Sequence, residues 1–125
     1  MTGERRLVLV ADDDEDILVL VRTVLERAGY EVSAVRDGAE AIAAARQRRP
    51  DLAVLDVAMP ELDGLEVLRR LRADASTSDV PVLLLSARVQ EDDVARGFAT
   101  GADAYVQKPF SPRELLDRVS ELLGA

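Results

Sequence analysis

The chain has 125 residues, and its 16 basic and 24 acidic side chains give a formal net charge of -8. At about 100 to 200 residues per domain this length fits one domain, and the negative charge disfavours direct binding to nucleic acid or to anionic membranes. Cysteine and histidine are both absent, which excludes disulfides, thiol chemistry, the Ser/His/Asp triad and the common zinc sites.

The first strand and the first helix are predicted between residues 7 and 29. Leu7–Ala11 is an apolar run without alternation, which is typical of a strand buried on both faces of a parallel sheet. The run is too short for a signal peptide, and we expect a cytoplasmic protein. The helix that follows has Asp14 as its expected N-cap and Gly29 as its expected stop. Its face toward the sheet is expected to carry Ile17, Leu20, Val21, Val24 and Ala28.

The same strand and helix unit recurs along the rest of the chain. Further strands are predicted at Glu31–Val35, Leu52–Leu55, Pro81–Leu85 and Ala104–Gln107. Further helices are predicted at Ala39–Arg48, Leu65–Arg72, Asp92–Ala99 and from Ser111-Pro112 to Leu123. Five strands that alternate with five helices predict a doubly wound α/β fold, a parallel sheet with helices on both faces. We expect a single domain over residues 1–125, with a core from about 6 to 123.

Polar side chains follow four of the predicted strands at the point where each strand ends. They are Asp12 and Asp13, Asp56, Ser86 and Lys108. Because the carboxyl ends of parallel strands meet at one edge of the sheet, where such folds form their sites, we expect these side chains to lie together.

The three carboxylates in this group repel one another, and they have two interpretations. They form either a solvated acidic loop, which water screens, or a site for a hard cation. Mg²⁺ prefers a few oxygen ligands and several waters, and Asp13, Asp56 and the backbone carbonyl of Ala58 would supply them. We favour the Mg²⁺ site because strand ends are where this architecture forms its sites.

Lys108 is the one lysine among 16 basic residues, and it stands directly after the last strand. Its ammonium is a compact charge that fits against a single phosphoryl or carboxylate oxygen, where a planar guanidinium would not. Each polar residue also has an ordinary structural explanation. Lys108 could be a chance surface lysine and Ser86 a turn serine, and Tyr105, on the last strand, could be a core aromatic. Taken together, the carboxylates, the ammonium and the Ser86 hydroxyl suit phosphoryl transfer to a carboxylate, with Asp56 on the central strand as nucleophile.

Five sequence motifs then resemble one family. They are LVADDD at residues 9–14, LDVAMPELDG at 55–64, LSAR at 85–88, GADAY at 101–105 and KPF at 108–110. In this order and spacing they resemble a receiver domain of bacterial two-component response regulators, similar to the single receivers of chemotaxis regulators, from about Arg6 to Leu123.

The resemblance implies a flavodoxin-like fold with strand order 2-1-3-4-5 and a role for each site residue. Asp56 would be the phosphoacceptor, Lys108 the invariant lysine, Ser86 the switch hydroxyl and Tyr105 the switch aromatic. Asp13, Asp56 and the Ala58 carbonyl would bind Mg²⁺ directly, and Asp12 would bind it through water. A histidine kinase or a histidine phosphotransfer protein would be the donor, and the output would be a contact with a protein target, with no direct role for nucleic acid or membrane.

Departures from the family pattern leave other properties open. Ala58 and Arg88 occupy positions that influence phosphoryl lifetime in the family, and Ala104 replaces an acidic residue of receivers that dimerise. The chain ends two residues after the last helix, so we expect either a stand-alone receiver or a receiver excised from a longer protein. An aspartyl phosphatase is disfavoured because Ala58 stands where its general acid is needed. A pseudo-receiver is disfavoured because the site is complete.

The first helix also predicts a docking surface for the phosphoryl donor. Leu18 and Val19 are apolar but lie off the predicted inward face, and Arg22 is at their edge. We expect them to form an exposed apolar patch that docks on the helical bundle of a phosphohistidine donor. The alternative is that they are scattered surface residues of the ordinary kind.

Overall fold

The structure is a computed structural model that describes residues 5–87 and 91–124, excluding the side chains of residues 91–94. Within these residues five strands alternate with five helices. The strands are β1 (Leu7–Ala11), β2 (Glu31–Val35), β3 (Leu52–Asp56), β4 (Val82–Ser86) and β5 (Ala104–Gln107). The helices are α1 (Glu15–Arg27), α2 (Gly38–Gln47), α3 (Gly64–Ala73), α4 (Glu91–Thr100) and α5 (Pro112–Leu123). The predicted bounds of the strands and of α2, α3 and α4 lie within one residue of these.

The five strands form one parallel sheet in the order β2-β1-β3-β4-β5. The doubly wound fold and its strand order are therefore confirmed. The chain runs from β1 outward to β2, then crosses back to β3 on the other side of β1, so the winding direction reverses between β1 and β3. A crevice opens at the carboxyl ends of the strands at such a reversal, and it is the usual place for a site in this architecture.

Two hydrophobic layers cover the two faces of the sheet. On one face, α1 and α5 pack on alternate strand residues such as Val10, Val54 and Leu83. On the other face, α2 and α3 pack on the intervening residues, such as Leu9, Leu55 and Leu84. Because both faces are covered, β1 and the residues of β3 and β4 before Asp56 and Ser86 are apolar without alternation, whereas the edge strands β2 and β5 are only partly buried. Among the described residues, no helix combines the length and apolar character needed to cross a membrane.

Short polar side chains fix where four helices begin. Asp14, Asp37, Asp63 and Ser111 each accept a backbone N–H of the first helical turn. At α5 the Glu114 carboxylate reaches back to the Ser111 N–H and completes a capping box. The Asp14 cap that the sequence predicts is thus confirmed, and Gly29 follows α1 with a positive φ of 99°, as a helix stop requires.

The predicted inward face of α1 is confirmed at Ile17, Val21 and Val24, which pack on the core, but it is wrong at Leu20 and Ala28, which are exposed. Leu18 is only 8% exposed and packs in the core with Val21 and Leu25, whereas Leu20 is 39% exposed. These buried positions are spaced three and four residues apart, so they lie on one side of the helix. Val19, at 57% exposure, and Arg22 do lie outside, as predicted.

Candidate functional site

The ends of four strands bring the predicted site residues to one edge of the sheet. Asp12 follows β1, Asp56 ends β3, Ser86 ends β4 and Lys108 follows β5. The register aligns these ends, because Ala11 pairs with Leu55, Asp56 with Leu85 and Ser86 with Gln107. The fold therefore brings together groups that are up to 96 residues apart in the sequence.

Lys108 connects two buried carboxylates at the centre of this edge. Its Nζ donates to Asp12 Oδ2 at 2.9 Å and to Asp56 Oδ1 at 3.2 Å. Its backbone N–H donates to the Ser86 carbonyl at 2.7 Å, so the end of β4 fixes the place from which the side chain reaches inward. Both carboxylates are buried, and a buried charge is tolerated only when it is paired in this way.

At this edge one ammonium, that of Lys108, faces the two buried carboxylates of Asp12 and Asp56. Burial raises the pKa of the Asp56 carboxyl from an ordinary 3.8 to about 6, and repulsion by Asp12 adds to the rise, while Lys108 and the Ala58 N–H act against it. Burial opposes the charge of Lys108, but its contacts with Asp12 and Asp56 outweigh this and raise the Lys108 pKa above its ordinary value. Lys108 therefore stays charged at neutral pH, and the ionised Asp56 gains from any further cation.

The three carboxylates lie close enough together to hold a metal ion. One carboxylate oxygen from each of Asp12, Asp13 and Asp56 lies within 4.8 Å of the others. Asp13 is exposed, whereas Asp12 Oδ1 accepts the Asp14 N–H at 2.9 Å and Asp12 Oδ2 accepts from Lys108. Asp12 is fully buried behind these contacts, which is consistent with the indirect role through water that the resemblance implies. Mg²⁺ prefers a few oxygen ligands and keeps several waters, and the exposed Asp13 leaves one side of this group open to water. These residues therefore fit that ion.

A cleft opens beside the three carboxylates and has a volume of about 580 Å³. Its walls come from the end of β1, the segment after β3, the start of α3, the end of β4 and helix α4. The lining residues are Asp13, Val57, Ala58, Met59, Pro60, Asp63, Leu65, Ser86, Ala87 and Arg96. The predicted residues Asp13, Ala58 and Ser86 thus share one cleft, and Arg96 joins them from α4 without having been predicted.

Gly64 allows α3 to begin directly against the end of β3. A Cβ on Gly64 would lie 2.4 Å from the Asp56 carbonyl oxygen, a separation that no side chain tolerates. The Gly64 N–H also donates to the Val57 carbonyl at 3.0 Å and closes the turn after the strand. Gly64 thus keeps this loop close to the Asp56 backbone.

Ser86 and Tyr105 lie on the same face of the sheet. Tyr105 pairs with Leu84, and Ser86 is two residues further along β4, so both side chains point toward the α4 side. Ser86 is buried and Tyr105 is half-buried. A Cβ on Gly97 would lie 3.6 Å from the Tyr105 ring, so α4 packs closely on it. Arg88, singled out by the sequence, lies outside the described residues.

The predicted docking patch is changed by the structure. Leu18 is buried in the core and offers no surface, so its predicted docking role is wrong. Val19 and Arg22 remain on the exposed side of α1, and Leu20 joins them there. This exposed side begins next to the acidic corner that contains Asp13.

Comparisons with known proteins agree on one kind of domain. The family described as the response regulator receiver domain matches residues 8–120. The alkaline phosphatase synthesis transcriptional regulatory protein PhoP of Bacillus subtilis is 47% identical over 116 residues, which cover 93% of this chain and 48% of that protein. The transcriptional regulatory protein PrrA of Mycobacterium tuberculosis is 49% identical over 116 residues, which cover 93% of this chain and 49% of that protein. The chain thus spans about half the length of these curated relatives.

Solved structures agree with the sequence relatives. The chemotaxis protein CheY4 of Vibrio cholerae superimposes with a TM-score of 0.92 at 34% identity, covering 96% of this chain and 100% of that one. The receiver domain of the sensor histidine kinase PA1611 from Pseudomonas aeruginosa gives a TM-score of 0.90 at 28% identity, covering 98% of this chain and 100% of that one. That structure contains a magnesium ion coordinated in the active site cleft.

Proposed function

The chain belongs to the response regulator receiver domain family, and from that premise we propose that it is a phosphorylation-operated signalling switch in the cytoplasm, with Asp56 as its phosphoacceptor. The donor is a histidine kinase or a histidine phosphotransfer protein, and the reaction depends on Mg²⁺. The observation that carries the proposal is the contact of Lys108 with both Asp12 and Asp56, on adjacent strands at the point where the winding direction reverses.

Asp56 is the carboxylate best placed to accept the phosphoryl group. It ends the central strand β3 and directly precedes Val57 and Ala58, which line the cleft. Asp12 is fully buried and accepts the Asp14 N–H and the Lys108 ammonium, so it has no surface toward the cleft. Asp13 is exposed and has the geometry of a metal ligand. Attack by an Asp56 oxygen on phosphorus forms an acyl phosphate and releases the imidazole of the donor.

A hard cation and the ammonium of Lys108 offset the charge that arrives with the phosphoryl group. Asp13, Asp56 and the Ala58 carbonyl would hold Mg²⁺, and Asp12 would hold it through water. When bound, the ion supplies positive charge to the oxygens of the phosphoryl group. Lys108 already lies 3.2 Å from Asp56 Oδ1 and can contact a phosphoryl oxygen with little movement.

The chain takes part in its own modification and is not an enzyme that turns over a separate substrate. Ala58 stands two residues after Asp56 and has no group that could protonate a leaving alcohol. The acyl phosphate is therefore the functional product, and its lifetime sets the duration of the signal.

The switch itself is a shift between two surface conformations. The phosphoryl oxygens attract the Ser86 hydroxyl, and the space that it vacates admits the Tyr105 ring, which lies on the same face of the sheet. Because α4 packs closely on Tyr105, movement of the ring changes the surface formed by α4 and β5. A downstream protein reads that surface.

The exposed side of α1 provides the contact with the donor. Val19 and Leu20 expose apolar surface beside the acidic corner, and Arg22 adds a positive charge. A donor that docks here brings its phosphohistidine to the Asp56 edge of the sheet. Apolar docking surfaces rimmed by charge are common in transient contacts between proteins.

Intact-protein mass spectrometry tests the proposal. The wild-type chain is incubated with acetyl phosphate and Mg²⁺, and with acetyl phosphate and EDTA, beside Asp56→Asn. We expect one added phosphoryl group on the wild type with Mg²⁺, and none on the other two samples. Phosphoryl addition to Asp56→Asn at the wild-type rate would overturn the assignment of the acceptor.

A further inference from the structure

Helix α4 contributes a cation to the wall of the cleft. Arg96 lines it together with Asp13, Ala58 and Ser86, the residues around the proposed acceptor. Gly97, the next residue, packs against Leu84 and Tyr105, so this turn of α4 is held against the sheet while Arg96 remains exposed at the cleft. The mechanism proposed above uses no group from α4.

The volume of the cleft exceeds the space that a phosphoryl group and a metal ion would occupy. Its volume of about 580 Å³ lies within the range of about 300 to 1,000 Å³ that is typical of sites for small molecules. Pro60 and Leu65 add apolar wall, while Asp13 and Asp63 add negative charge. Among the described residues that line the cleft, Arg96 is the one cation.

In-line transfer sends the leaving group into this space. Asp56 is buried beside the cleft, next to its lining residues Val57, Ala58 and Ser86. In an in-line attack by Asp56 the bond that breaks lies on the side of phosphorus away from Asp56, toward the open cleft. For an acyl phosphate donor, an O–P bond forms at Asp56, the P–O bond to the acyl group breaks, and its electron pair leaves on a carboxylate. That carboxylate appears next to Asp13 and Asp63, which repel it.

We propose that Arg96 is a specificity-determining residue that favours small acyl phosphates as donors, because its guanidinium binds the carboxylate that leaves. This inference rests on the proposed phosphoacceptor role of Asp56. A guanidinium presents a planar fork of donors that matches a carboxylate. Arg96 already has an interaction in the folded chain, and its five N–H donors allow it to bind a second acceptor. Pro60 and Leu65 offer apolar contact to the short acyl chain.

The test compares two small donors whose leaving groups differ in charge. Acetyl phosphate releases acetate, an anion, whereas phosphoramidate releases neutral ammonia, and both transfer the same phosphoryl group. Initial rates of phosphorylation with Mg²⁺ are measured for the wild type, Arg96→Gln and Arg96→Lys. Arg113→Gln is the matched control, because Arg113 is exposed on α5, on the other face of the sheet, and its substitution removes the same charge.

The measured quantity is the acetyl phosphate rate divided by the phosphoramidate rate. In Arg96→Gln we expect this ratio to fall about ten-fold, the effect of losing one charge-assisted hydrogen bond. Arg96→Lys keeps the charge but loses the planar fork, so its ratio should fall about three-fold. Arg113→Gln should keep the wild-type ratio. Circular dichroism establishes that each variant is folded, and the Lys variant carries the test if the Gln variant is not.

Other results separate the inference from the function on which it rests. An unchanged ratio in Arg96→Gln, or equal slowing with both donors, would overturn the assignment of Arg96 to the leaving group while Asp56 remains the acceptor. If the wild type accepts a phosphoryl group from neither donor, the proposed function fails, and this inference fails with it.

Discussion

Replacing Asp56 with Asn should stabilise the protein in the absence of metal. The Asp56 carboxyl is buried beside Asp12, and its pKa is raised from 3.8 to about 6. A raised pKa means that the folded state disfavours the ionised carboxylate. The resulting loss of stability grows as the pH rises from 3.8 and is complete above about 6. Asn has nearly the same shape, still accepts a hydrogen bond from Lys108 and carries no charge.

The size of the effect follows from the same pKa values. A carboxyl that titrates at about 6 when folded and at 3.8 when unfolded costs about 3 kcal/mol at pH 7, at about 1.36 kcal/mol per pKa unit. The attraction of Lys108 is already contained in the shifted pKa. The Asn amide does not reproduce every hydrogen bond of the carboxyl, so we expect a gain of about 1 to 3 kcal/mol. In a domain of this size each kcal/mol raises the Tm by about 4 °C.

Urea unfolding in EDTA at a series of pH values tests this reasoning. The advantage of Asp56→Asn should be full above pH 6 and should shrink as the pH falls toward 4, because the wild-type carboxyl then gains its proton in the folded state first. Asp117→Asn is the control, since Asp117 is exposed on α5 and the substitution removes the same charge. A variant that is less stable than the wild type at pH 7, or an advantage that does not vary with pH, would refute the argument.

Three further predictions follow from other contacts of the site. Gly64→Ala should lower the free energy of unfolding by about 1 to 3 kcal/mol in urea titrations, because its Cβ would meet the Asp56 carbonyl at 2.4 Å; an unchanged midpoint would contradict this. Lys108→Arg should keep the fold but lose the NMR shift changes that beryllofluoride induces in α4, since the guanidinium cannot contact Asp12 and the new group in the same way; wild-type shift changes would exclude this role. Val19→Asp should slow transfer from the cognate kinase but not from acetyl phosphate, whereas Leu18→Asp should unfold the chain because Leu18 is buried; equal slowing with both donors in Val19→Asp would mean damage to the site itself.

The strands and the polar groups at their ends could be predicted because both signals are local. An apolar run without alternation specifies a strand covered on both faces, and the residue after it must then lie at the carboxyl edge. Asp56 and Ser86 were found in this way, whereas Lys108 was found as the one lysine of the chain, directly after a shorter strand. Their chemistry emerged only from their combination, because each side chain alone has an ordinary structural explanation.

The side of α1 that faces the sheet could not be fully predicted, because the sequence of this helix is ambiguous. Residues 17 to 21 are five consecutive apolar side chains, so spacing alone does not decide which of them face the sheet. The core decides it by admitting Leu18, Val21 and Leu25. Arg96 was missed for a different reason: it reaches the cleft through the packing of α4 on β4 and β5, which no local pattern encodes.

Chemical identification of the modified residue tests the central claim most directly. Sodium borohydride reduces an aspartyl phosphate to homoserine, so the chain is treated with acetyl phosphate and Mg²⁺, reduced, digested and sequenced by mass spectrometry. We expect homoserine at position 56 and aspartate at positions 12 and 13. Homoserine at position 12 or 13, or unmodified aspartate at all three positions after phosphoryl donor and reduction, would contradict it.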